Sequence, residues 1–68
     1  MRYSARNTLK GTVTSIEFGS VNAIVKLDVS GTTITSVVTI DAVEELGLEV
    51  GSPAWAIIKA SSVMLAAE

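Results

Sequence analysis

The sequence contains no cysteine and no histidine. The first absence excludes disulfides and thiolate metal sites, and the second excludes imidazole ligands and the commonest general base. Aromatics are limited to one Trp, one Tyr and one Phe, too few to stack the bases of a single-stranded nucleic acid. Five Lys or Arg stand against seven Asp or Glu, a formal charge of −2, so the basic stripe that nucleic-acid binding needs is also missing. No apolar run approaches the roughly 18 residues of a membrane span. Arg2 and Arg6 lie near the N-terminus without the apolar core of a signal peptide behind them. The expectation is a cytoplasmic protein with neither nucleic-acid nor membrane partners.

What is abundant is apolar side chain: 49% of 68 residues. A single domain is expected, of a size that buries only about 60% of its unfolded surface. Scaffolds this small need a disulfide, a metal or partner subunits to hold them. With the first two short of ligands, self-association is the remaining means.

The apolar pattern is that of strands. Residues 9–18 form a first one, in which Leu9, Gly11 and Val13 share one parity and Ile16 and Phe18 the other. That switch predicts a β-bulge near Thr14 and Ser15. Gly19-Ser20 turns the chain into a second strand, where Val21, Ala23, Val25, Leu27 and Val29 alternate with Asn22, Ile24, Lys26 and Asp28. Ser30-Gly31 suits a two-residue hairpin loop, and residues 32–40, rich in Thr, Ile and Val, return as a third strand. Asp41 is the expected N-cap of a two-turn helix, with Glu44 completing a capping box and Gly47 ending it. Residues 54–59 form a fourth strand that is apolar on both faces, and residues 63–67 a short fifth. The reading is all-β: a small five-stranded OB-like barrel with one short helix between the third and fourth strands.

Catalysis is not expected. No serine has an evident base nearby, and Asp41, Glu44 and Glu45 are explained by the helix start. They offer too few oxygens for a hard cation, so no directly coordinated metal is expected. The donors suit an oxyanion better. Arg6, in the stretch Ser4-Ala5-Arg6-Asn7, offers a five-donor fork, Lys59 a compact charge, and Ser4, Thr39, Ser61 and Ser62 their hydroxyls. Each charge-assisted hydrogen bond contributes about 1.5–3 kcal/mol, so a handful gives tight binding. Arg6 and Lys59 also fit ordinary surface charges, solvated or ion-paired. The Gly19-Ser20-Val21-Asn22 turn is a second candidate, as an anion-binding nest or as a plain hairpin.

Four stretches in order resemble the Mop domain, the molybdenum-pterin-binding, TOBE-like module, in its free-standing molbindin form. They are Ser4-Ala5-Arg6-Asn7 with Leu9, Gly11 and Val13; Gly19-Ser20-Val21-Asn22-Ala23; Thr39 through Leu48; and Ala56-Ile57-Ile58-Lys59-Ala60-Ser61-Ser62-Val63-Met64. The resemblance implies one Mop domain over residues 1–68 and an OB-like barrel that binds molybdate or tungstate in the cytoplasm. It further implies a homohexamer, a trimer of interlocked dimers, with anion sites between subunits and a role in storage, buffering or homeostasis. Carried over by position, Ser4, Ala5, Arg6, Asn7, Thr39, Lys59, Ala60 and Ser61 would form a first type of site. Gly19, Ser20, Val21 and Asn22 would line a second. The family often has a hydroxyl residue where this chain has Ala42, which removes one donor. No cofactor is implied beyond the oxyanion ligand. The competing reading is a generic OB-type module for single-stranded nucleic acid or oligosaccharide.

Overall fold

A computed structural model describes residues 4–68. The elements run β1 (Asn7–Phe18), β2 (Asn22–Val29), β3 (Thr32–Thr39), α1 (Ile40–Leu46) and β4 (Pro53–Ile58), followed by a single 3₁₀ turn at Ala60–Ser62. The strands form one antiparallel sheet in the order β3-β2-β1-β4.

β1 serves two partners. Residues 7–12 pair with β4 and residues 12–18 with β2, so Thr12 faces Pro53 on one side and Asp28 on the other. The strand bends here, and Gly11 is where it comes closest to β2. A Cβ at Gly11 would lie 2.6 Å from the Asp28 carbonyl oxygen and 2.8 Å from Val29 Cγ2. One step on, the register shifts between Val13 and Ser15, which is the bulge that the parity switch predicts. Its polar groups are satisfied: Thr14 Oγ1 donates to the Lys26 carbonyl at 3.2 Å, while Val13 N–H donates to Ser52 and Val13 C=O accepts from Gly51.

The hairpin between β2 and β3 has Ser30 at φ 50° and Gly31 at φ 89°, left-handed at both loop positions as a primed turn requires. Alternation then sorts the faces. Val13, Ala23, Val25 and Leu27 are buried together with Val43 of α1, and Ile34, Val38, Ala54 and Ala56 pack against them. Thr33, Thr35 and Thr39 of β3 face outward and are exposed.

The helix begins earlier than Asp41. Thr39, still extended, is the N-cap, and its Oγ1 accepts from Ala42 N–H at 3.0 Å. Thr39 wins because it ends β3 with its hydroxyl already aimed at the third helical amide. Asp41 therefore lies in the first turn, where its charge suits the helix dipole, and Ala42 occupies the position at which a capping-box carboxylate would stand. Gly47, at φ 64°, ends the helix as expected, and Leu48 N–H returns to the Val43 carbonyl.

The five-stranded barrel is not what forms. Among the described residues the sheet has four strands and stays open between β3 and β4. Residues 63–67 form no strand among the described residues, and Met64 and Leu65 are each 93% exposed. Alternation in that segment shows that it can pair; it does not supply an edge within reach of the same chain. The gap is an apolar groove of about 540 Å³ between the inward faces of Leu27, Ile34, Val38, Leu48, Ala56 and Ile58.

The surface is large for the mass. The chain exposes 5344 Å², whereas a folded monomer of 7.1 kDa exposes about 4,100 Å². The excess, roughly 1,200 Å², exceeds the ~800 Å² that each partner buries in an interface of standard size. Replacing Gly11 with Ala is expected to destabilise the fold by about 1–3 kcal/mol, because the Asp28 backbone cannot retreat without breaking the sheet. Thermal or urea unfolding of the variant reads this directly.

Candidate oxyanion site

The β1·β4 ladder ends on the rung Asn7↔Ile58. Just beyond it, Ser4-Ala5-Arg6 enters on one strand and Lys59-Ala60-Ser61 leaves on the other. Arg6 and Lys59 are the residues that flank this last rung, one on each strand. Two stretches more than fifty residues apart in sequence thus become neighbours. Ser4, Arg6, Lys59, Ala60 and Ser61 are exposed, while Ala5 and Asn7 are half-buried.

Neither cation is drawn into an ion pair among the described residues. Like charges facing each other across a strand pair are destabilising unless something negative lies between them. The 3₁₀ turn adds donors: Ser62 N–H returns to Lys59 and Val63 N–H to Ala60, and the amides of Ala60 and Ser61 lead the turn without a partner inside it. Charge, hydroxyls and amides therefore converge at one end of the sheet, in a set that can hold a tetrahedral dianion.

Asn7 behaves differently from its neighbours. Its Nδ2 donates to the Ile58 carbonyl at 3.2 Å. Thr39 also stands apart from the Arg6 group. It pairs with Asn22, and Ile40 N–H donates to the Val21 carbonyl at 2.8 Å, so Thr39 belongs with the Gly19-Ser20-Val21-Asn22 turn. That turn adjoins the Phe18 end of β1, eleven residue steps from Asn7, or roughly 36 Å measured along the strand. Donors to a single tetrahedral anion must all lie within about 3 Å of its oxygens. One chain therefore does not bring Thr39 and Arg6 to the same ion.

In the turn itself, Gly19 N–H is engaged by the Asn22 carbonyl at 2.8 Å, and none of residues 19–22 has a positive φ. Its contribution to an anion would come from the exposed Ser20 hydroxyl and the amides beyond Gly19. The Thr39 hydroxyl accepts from Ala42 and keeps its proton to donate.

One feature escaped the reading of the sequence. Lys10 and Trp55 are register partners on the outer face of β1 and β4, with Lys10 Nζ 5.2 Å from the ring centroid. Among the described residues, Arg6, Lys10 and Lys59 thus lie along the β1·β4 pair toward its Asn7 end. Only the β1·β4 register reveals this, since the residues are scattered in sequence.

Thr39→Ala is expected to lower stability by about 1 kcal/mol through loss of the helix cap, with Thr39→Ser close to the parent. Urea unfolding followed by far-ultraviolet circular dichroism checks it.

The chain is similar to known proteins over nearly its whole length. Residues 3–65 match the TOBE domain. The chain is 59% identical to the "Probable molybdenum-pterin-binding protein" of Haemophilus influenzae, over the whole of both chains. It superimposes on a molybdate-binding protein from Sporomusa ovata with a TM-score of 0.94 at 36% identity, covering 98% of this chain and 100% of that one. It also superimposes on the cytoplasmic molybdate-binding protein ModG, solved with molybdate bound, with a TM-score of 0.90 at 58% identity. There the match takes in 94% of this chain and 46% of ModG.

Proposed function

The chain belongs to the TOBE-domain family, in the Mop branch of molybdenum-pterin-binding proteins, and we propose that it binds molybdate at sites shared between copies of itself. The observation that carries this reading is the separation of the donor groups. Arg6, Lys59 and Ser61 gather at one end of β1, and Thr39 with the 19–22 turn gathers at the other. If Thr39 and Arg6 serve one anion, as the Mop resemblance implies, two chains must supply them.

Self-association has independent support. Phe18, Val21, Val37, Trp55 and Ile57 are large apolar side chains left in solvent, and the surface excess is of interface size. Among the described residues nothing covers the open groove between β3 and β4, and the apolar Val63, Met64 and Leu65 have no core to enter. Seating the tail of one copy in the groove of the next satisfies both and interlocks the pair. The assembly is a homohexamer, a trimer of such dimers, working in the cytoplasm as a molybdate store or buffer that also accepts tungstate.

Discrimination from sulfate follows from size, because the two dianions share charge and shape. Donors held rigidly at the spacing of the larger ion make poor contacts with the smaller. The protein acts as a binder and not as an enzyme.

Calorimetric titration with molybdate and sulfate is the direct test. Strong heat with molybdate and weak heat with sulfate is expected; equal heats, or none, would sink the proposal. Arg6→Ala should weaken molybdate binding roughly 10- to 100-fold while leaving the circular dichroism spectrum unchanged.

A further inference from the structure

Asn7 closes the candidate stretch Ser4-Ala5-Arg6-Asn7, yet its side chain is turned back onto the sheet. By strand alternation it shares the inner face with Leu9 and Gly11, opposite Ala56 and Ile58, whereas Thr8 and Lys10 face outward with Ile57 and Trp55. It is half-buried, and its amide donor is engaged by the Ile58 carbonyl. The rung it closes is the last of the β1·β4 ladder. Beyond that rung the chain bends at Arg6 on one side and enters the 3₁₀ turn on the other.

We propose that Asn7 is a positioning residue: it clamps β1 to β4 at Ile58, fixing the distance between Arg6 and the Lys59-Ala60-Ser61 wall, and so sets the size of tetrahedral dianion that fits. This rests on the oxyanion reading and deepens it. Terminal rungs of a ladder fray first, because residues outside them hold nothing in place. A side-chain bond across that rung adds a second tie where the backbone ladder stops. Remove it, and Arg6 and Lys59 keep their charges but lose their spacing. Charge alone attracts any dianion; spacing separates the larger from the smaller.

The test uses the assembled protein and two variants. Asn7→Ala removes the clamp, and Asn7→Leu removes it while keeping the side-chain volume against Ile58. Molybdate affinity is measured by calorimetry, sulfate affinity by displacement of molybdate, and the thermal midpoint alongside. The expected result is a fall of about tenfold or more in the molybdate-to-sulfate affinity ratio, the scale typical of residues that orient ligating groups. Sulfate affinity should change little. A parallel loss for both anions would make Asn7 a direct contact and overturn the proposal. Unchanged affinities with a lowered midpoint would reduce Asn7 to a structural role and overturn it as well. A parent protein that binds neither anion would remove the oxyanion reading itself, and this proposal with it.

Discussion

A single twelve-residue strand that must pair with two different neighbours governs this molecule. β1 changes partner at Thr12, and everything nearby accommodates that change. Gly11 allows the close approach to Asp28, the bulge after Val13 re-aims the strand, and the 49–52 loop bonds to the Val13 backbone that β4 no longer reaches. The same constraint decides where the donors go. A strand that long carries one group of polar residues at its start and another beyond its end, too far apart to meet within one chain. On the proposed reading, function and assembly then become one problem.

Much of this was legible in the sequence, for reasons that can be named. The bulge was readable because a bulge flips parity, and Val13 and Ile16 stand on opposite parities. The Ser30-Gly31 loop, the Gly47 stop and the doubly apolar β4 were readable because each rests on local chemistry. The helix start was misread because two good capping residues, Thr39 and Asp41, stand two apart, and local preference does not choose between them. Strand geometry chose, since Thr39 ends β3 in the extended conformation that a cap requires.

The fifth strand failed for a different reason. Whether residues 63–67 pair depends on an edge being available, and a sequence pattern carries no information about which chain supplies it. The site was legible as a set of donors but not as a layout. Arg6 and Lys59 could be matched by type, yet only the register Asn7↔Ile58 makes them neighbours. Thr39, which the Mop resemblance assigns to the same site, lies at the other end of the strand within one chain. Asn7 closes the same stretch from the inner face of β1, where its amide donates to the Ile58 carbonyl.

The chemistry that results is simple. A chain with no histidine, no cysteine and a net charge of −2 sets Arg6, Lys10 and Lys59 along the β1·β4 pair toward its Asn7 end. On the proposed reading an anion shared between copies relieves the repulsion within such a cluster, which would link occupancy to assembly. Native mass spectrometry with and without molybdate tests this most directly, since it counts subunits and anions together. The account predicts a six-subunit species that gains several molybdate masses and resists dissociation better when loaded. A monomer that takes up one molybdate on its own would contradict it.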